Sequence, residues 1–300
     1  MEHEIQFETR TIEVQPEIWI WTETIGNPAN PAVILFAPAG GQCIQWPEHF
    51  CKELSKQYFV IRFDYRDSGL STAIDYQKTP YDFKTLFADG LSILDALKIE
   101  QAHFIGNSMG GSIIQYGAMA FPERMISMTL MMGSPHHVIP FEILKGRASH
   151  YFKLSPPHEQ FISATHESAK SLSNIDLFLI RRNVALKAGS SLPGSHFDRH
   201  YWYELEEEIL KRSTNPNTLS NQFSAQLQHP ENRLNALQEV LVKTLIIHGP
   251  LDAVYPMDHA EAMAKALPNG KLLMMPDLGH CFDPFYALKI GQAIMKFYET

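Results

Sequence analysis

Nowhere in the 300-residue sequence is there an apolar run long enough to cross a membrane. No membrane span is therefore expected. Cysteine is scarce: Cys43, Cys51 and Cys281 are the three present, an odd number in no metal-binding spacing. That excludes a disulfide framework and fits a reduced, cytoplasmic protein. Basic charge is also short, with 25 Lys and Arg against 33 Asp and Glu. No basic stripe is available to neutralise phosphates, so nucleic acid is not expected as a partner. The opening "MEHEIQFETR" is charged and lacks the apolar stretch of a secretory signal. Internal repeats and low-complexity tracts are missing too. Apolar residues make up 45% and charged residues 19%, the balance of an ordinary globular protein with a full core.

What is present is an alternation. "IQFETRTIEV" and "IWIWTET" alternate apolar and polar residues and read as antiparallel strands. "AVILFAP", "FVIRFDY", "AHFIGN", "ISMTLMMG", "VKTLIIHGP" and "KLLMMPD" are apolar runs of buried-strand type. Between them, "PEHFCKELSKQ", "DFKTLFADGLSILDAL", "MGGSIIQYGAMA" and "MDHAEAMAKAL" have helical spacing, and a last helix follows Pro284. Eight strands alternating with helices predict an α/β fold with a mostly parallel sheet covered on both faces. The alternation breaks over 135–229, which holds helix-like patterns and aromatics but no buried strand. We expect a core of 1–134 and 230–300, with 135–229 inserted as a mainly helical cap. Eight of the fourteen histidines fall in that insert. They are read as solvated or pocket-lining residues, and no metal or cofactor is expected.

"HFIGNSMGGSIIQ" places Ser108 between glycines, at the end of a strand and the start of a helix. Gly106-Asn107-Ser108-Met109-Gly110 is a G-x-S-x-G pattern, which in that context holds a nucleophile on a strained turn. The bland alternative is a simple glycine turn. A serine hydroxyl needs a base, and the base needs an orienting acid. In sheets of this type the order along the chain is Ser, acid, His. Asp252 follows the strand in "LIIHGPLDAVYP", and His280 follows the strand in "LLMMPDLGHCF". Both therefore lie at the same sheet edge as Ser108. Among competitors, Asp283 precedes Pro284 and a helix and reads as an N-cap. Asp277 reads as a turn residue, and His248 as structural. Two N–H groups are needed to hold an oxyanion. Met109 is the first expected donor, and Gly41, from the "AGGQC" loop after "AVILFAP", is the second. "DYRDSGLST" is expected to form a local scaffold network of Asp64, Arg66 and Asp67. Cys281 adjoins the base but is not expected to be catalytic.

With these residues in place, the chain resembles the α/β-hydrolase superfamily over nearly its whole length. "GNSMG", "GPLD" and "LGH" match its triad motifs. "DYRDSGLS" resembles its Asp-x-Arg-Gly-x-Gly-x-Ser loop, with Asp67 at a usual glycine. "WPEHF", "RFDYRDSGLST", "PYDFKTLFADGLSILDAL" and "FIGNSMGGSIIQ" are similar to the amino-terminal half of aclacinomycin methylesterase-like hydrolases. That resemblance implies the α/β-hydrolase fold and hydrolysis of a carboxylic ester without metal or organic cofactor. The expected function is a serine esterase acting on a small apolar ester, as a monomer or homodimer. The alternatives are thioester, lactone, peptide or carbon–carbon bond hydrolysis, and a ligand receptor on the same scaffold. The insert is expected to set substrate choice and not chemistry, with some of Phe152, Phe161, Phe178, Phe197, Tyr201 and Trp202 lining an apolar pocket and the others packing the cap onto the core.

Overall fold

Parallel strands need crossovers, and the apolar runs of this sequence are spaced to hold a helix in each. The computed structural model, which describes residues 6–168 and 175–299, has that arrangement. The strands are β1 (Glu8–Gln15), β2 (Ile18–Ile25), β3 (Ala32–Phe36), β4 (Phe59–Phe63), β5 (Ala102–Asn107), β6 (Met125–Met131), β7 (Thr244–His248) and β8 (Gly270–Met274). They form one sheet in the order β1-β2-β4-β3-β5-β6-β7-β8. Only β2 runs against its neighbours, pairing antiparallel with β1 and β4, while the ladders from β4 to β8 are parallel.

The central strands β3, β4, β5 and β7 are buried at every residue, which is why they read as continuous apolar runs. The faces are covered by α1 (Glu48–Leu54), α2 (Phe83–Ala96) and α3 (Met109–Ala120), and later by two further helices. Asp82 caps α2, accepting from the Thr85 N–H at 2.8 Å. Phe36 sits at the middle of the core, 5.2 Å from Phe63 and 6.0 Å from Phe104 between ring centroids.

Between β6 and β7 the chain leaves the sheet. It runs through α4 (Ile139–Leu144), α5 (Glu159–Ser168), α6 (Ile175–Gly189), α7 (Arg199–Arg212), α8 (Thr218–Leu227) and α9 (Leu234–Leu237). This insert is helical, as its pattern predicts. Its two ends are tied together by the Arg233 N–H, which donates to Pro135 O at 2.9 Å. After β7 come α10 (Met257–Ala266), β8 and α11 (Ala287–Tyr298). The expected helix from Pro284 begins as a 3₁₀ turn, Pro284–Tyr286, before α11. Asp283 accepts from the Phe285 N–H at 3.0 Å and so caps that turn.

Candidate active site

β5 ends at Asn107 and α3 begins at Met109, leaving Ser108 alone to turn the chain. Its φ of 51° and ψ of −112° are values that a side chain resists. The turn closes because nothing stands on Gly106 or Gly110. A Cβ on Gly106 would lie 2.4 Å from Gly110 O, and one on Gly110 would lie 2.0 Å from Phe36 O. Both obstacles are backbone and cannot step aside. Gly110→Ala is therefore expected to cost about 3 kcal/mol or more of stability, as overpacking against backbone does. Urea denaturation checks this, and an unchanged midpoint would contradict the close approach.

Serine at a helix start ordinarily caps it. Ser108 makes no such side-chain bond to α3. Its Oγ stands instead 3.0 Å from His280 Nε2. His280 Nδ1 is 2.8 Å from Asp252 Oδ2. Asp252 is buried, and its Oδ1 accepts from the Val254 and Tyr255 N–H groups, each at 2.8 Å. Burial pushes the Asp252 carboxyl up, but the charge of His280 and these hydrogen bonds outweigh it and hold the group below its ordinary value. Asp252 is thus ionised at neutral pH. An ionised carboxylate only accepts, so Nδ1 carries the proton and Nε2 presents its lone pair to the Ser108 hydroxyl. His248 donates from Nε2 to Tyr255 O at 2.8 Å and stands 3.4 Å from Asp252 Oδ2, steadying the acid loop.

The expected oxyanion donors fare differently. Among the described residues the Met109 N–H, in the first turn of α3, has no hydrogen-bond partner. Gly41 is not available. Its N–H donates to Pro38 O at 3.0 Å, closing a tight turn in which Gly40 and Gly41 have φ of 99° and 61°. The Gly40 N–H donates to Gln222 Oε1 at 2.9 Å, and Pro38 has no N–H. That leaves the Ala39 N–H as the unpartnered donor of the loop 38–41 among the described residues. Two adjacent glycines invite the choice of one of them, but here the glycines make the turn that frees their neighbour.

The chain matches the family model of the alpha/beta hydrolase fold over residues 32–154. It is 30% identical over 283 residues to a rhodomycin D methylesterase from Streptomyces sp. (strain C5), covering 91% of this chain and 92% of that one. The chain belongs to the α/β-hydrolase family. A rhodomycin D methylesterase from Streptomyces peucetius is 29% identical over 279 residues, covering 88% of this chain and 89% of that protein. Among solved structures, an esterase from Exiguobacterium antarcticum superposes with a TM-score of 0.75 at 18% identity, covering 98% of this chain and all of that one. At that identity the likeness is one of fold.

In this α/β-hydrolase the insert holds the loops that carry Gly40, Asp252 and His280. Ser191 Oγ accepts from the His280 N–H at 2.9 Å, and Ser195 Oγ accepts from the Gly279 N–H at 3.1 Å. Ser191 also forms an isolated antiparallel bridge with Asp252. The "DYRDSGLST" loop is only partly the local network expected of it: Asp64 Oδ2 accepts from the Leu70 N–H at 2.9 Å and Ser71 Oγ donates to Asp64 O at 2.8 Å, but the ion pairs reach outside the loop. Asp64 accepts from the Cys43 N–H at 2.7 Å and pairs with Arg212 of α7 at 2.9 Å. Arg66 pairs with Asp89 of α2 at 2.6 Å, and both are buried. Asp67, at φ 70°, accepts from Asn221 at 2.7 Å, from Asn215, and from the Ile74 N–H at 2.9 Å. That left-handed φ explains why the superfamily loop has glycine there. The sequence gives no hint of Ser191, Ser195 or Gln222, which sit in ordinary polar stretches and reach the site only through the fold.

The insert's aromatics pack chiefly on each other. Phe197 stacks on Trp202 at 5.7 Å, and Tyr201 meets Trp202 edge-on at 5.3 Å. Phe152 packs against His136 at 5.6 Å. The Phe178 side chain lies outside the described residues. His196 and His200 stand four apart but diverge, His196 Nδ1 toward Asp283 at 3.0 Å and His200 Nε2 toward Glu204 at 3.3 Å. Among the described residues no group of three potential ligands gathers to hold a metal. Nor is any helix there long and apolar enough to cross a membrane. A cavity of about 600 Å³ lies between 73–77 and 214–221, and Ser108 is not among its lining residues.

Cys281 turns away from Ser108. It packs with Val184, Trp202 and Leu205, and its Sγ is 3.4 Å from Lys187 O. Burial pushes its thiol up to about 11. A thiol so placed is a poor nucleophile. Cys281→Ser is expected to keep activity within about 3-fold, because Ser190 and Lys187 O remain to bond a hydroxyl. An inactive but well-folded variant in an esterase assay would contradict this.

Proposed function

We propose that this α/β-hydrolase is a serine carboxylic-ester hydrolase. The observation that carries the reading is the linear relay from Ser108 Oγ to His280 Nε2 at 3.0 Å and from His280 Nδ1 to Asp252 at 2.8 Å. Ser108 Oγ attacks the acyl carbon as its proton passes to His280 Nε2. Asp252 keeps the Nδ1 proton in place and stabilises the imidazolium that forms. The N–H groups of Met109 and Ala39 hold the oxyanion, helped by the positive end of α3. Collapse breaks the bond to the alcohol oxygen, which takes the proton from Nε2. The neutral imidazole then draws a proton from water, whose oxygen attacks the acyl carbon. Nε2 returns that proton to Ser108 as the acid leaves.

The relatives named methylesterases support including methyl esters of larger acids among the substrates. The test is a panel of esters that varies the acyl and alcohol parts separately, run on wild-type protein and Ser108→Ala. Multiple turnovers that vanish in the variant are expected, and a receptor on this scaffold would give none. We further propose that 135–229 acts as a cap over the site. Apolar esters should outrun charged ones of equal size, because such pockets are mostly apolar. Cap substitutions should re-rank the esters by about 1–3 kcal/mol per altered contact. A panel in which cap substitutions lower all esters equally would contradict the proposed role in substrate choice.

A further inference from the structure

Gln222 is fully buried, on α8 of the insert. Its Oε1 accepts from the Gly40 N–H at 2.9 Å. The other side of the same peptide is also held, since Gln45 Nε2 donates to Ala39 O at 3.2 Å. The Ala39–Gly40 peptide is thus clamped between a glutamine of the core and a glutamine of the insert. The remaining groups of the loop are fixed from the core: Tyr65 Oη donates to Ala37 O at 2.9 Å, and Gly41 O accepts from the Tyr65 N–H at 2.8 Å.

Gln222 bears a cost for this. Because Gly40 offers a donor, the amide must turn its oxygen to it, and the orientation is fixed. Its Nε2 then has no hydrogen-bond partner among the described residues, although it is buried. A buried orphan donor weighs against stability, and a bond worth making at that cost is one whose value lies elsewhere. An apolar side chain of the same length would relieve the orphan and leave the loop unheld.

We propose that Gln222 is a positioning residue that aims the Ala39 N–H at the oxyanion, so that the seated insert completes the oxyanion hole. The inference rests on the esterase reading above. It also alters the expectation that the insert sets substrate choice and not chemistry: through Gln222, α8 enters the chemistry without touching substrate. A donor swung off its target by a fraction of an ångström loses most in the transition state, where the charge develops, and little in the ground state.

The test compares full-length wild type with Gln222→Met, Gln222→Asn and Gln222→Glu. Four quantities are read: kcat and KM on p-nitrophenyl butyrate, affinity for phenylboronic acid, and Tm. Phenylboronic acid forms a tetrahedral adduct on serine and reports the oxyanion hole directly. Gln222→Met should lower kcat by about 10- to 100-fold with KM within about 3-fold. Boronate affinity should fall in step with kcat, while Tm stays within about 4 °C. Gln222→Asn, too short to reach Gly40, should behave alike and decides the matter if Gln222→Met fails to fold. Gln222→Glu keeps the acceptor and should recover most of kcat. Wild-type kcat in both loss variants would overturn the inference and leave the esterase reading standing. So would a joint fall of kcat and Tm that Gln222→Glu does not repair. A wild-type protein without turnover or boronate binding would remove the esterase reading, and this inference with it.

Discussion

Ser108→Ala is expected to lower ester turnover about a million-fold, the loss seen when the nucleophile is taken from a triad acting as a unit. The protein should stay folded. Among the described residues the Oγ makes one side-chain hydrogen bond, to His280, and no cap to α3. Alanine keeps the unfavourable φ of 51°, so its Tm should hardly move. Ser108→Gly separates strain from chemistry. Glycine adopts that backbone without penalty, so this variant should be as inactive as alanine but more stable, by about 1 kcal/mol. Thermal denaturation and an ester assay read both. Retained turnover in either variant would remove the mechanism, and a Gly variant that melts below the Ala variant would contradict the strained turn.

The second large effect is expected at Asp252. Asp252→Asn preserves shape and most hydrogen bonds, but the amide can donate where the carboxylate only accepts. It allows the wrong imidazole tautomer, in which Nε2 carries the proton and cannot receive the one from Ser108. A loss of about 10⁴-fold in kcat follows, with KM little changed. The variant should also lose part of the stability contributed by a buried acceptor of two backbone N–H groups, each at 2.8 Å. Steady-state kinetics at neutral pH make the check. A loss under about 10-fold would mean that His280 is oriented by other groups.

The strands were legible in the sequence because this sheet is buried on both faces, which turns each central strand into an unbroken apolar run. Ser108, Asp252 and His280 were legible for a related reason. Each follows a recognisable strand, and the carboxyl ends of parallel strands share an edge. In the loop proposed to hold the oxyanion, the free N–H was legible only to within a residue or two. Gly40 and Gly41 announce a turn, but which N–H is left over depends on Pro38 O and on Gln222, a residue 182 positions away. Contacts of that range leave no periodicity. The same holds for Ser191 and Ser195, whose hydroxyls hold the His280 loop from the insert, and for the divergence of Asp64, Arg66 and Asp67 toward separate partners. A loop rich in charge suggested ion pairing within itself, whereas its ion pairs run to Arg212 and Asp89 on elements packed against it and only backbone N–H groups such as that of Leu70 bond its carboxylates locally.

The central claim is that Ser108 is the nucleophile of an ester hydrolase, and a covalent label tests it most directly. The protein is treated with a p-nitrophenyl alkylphosphonate, and the modified peptide is located by mass spectrometry while residual ester turnover is followed. The account predicts one phosphonyl group per chain, on Ser108, with turnover lost in proportion to labelling and no label in Ser108→Ala. Labelling at another residue, or full turnover by a protein fully labelled on Ser108, would contradict it.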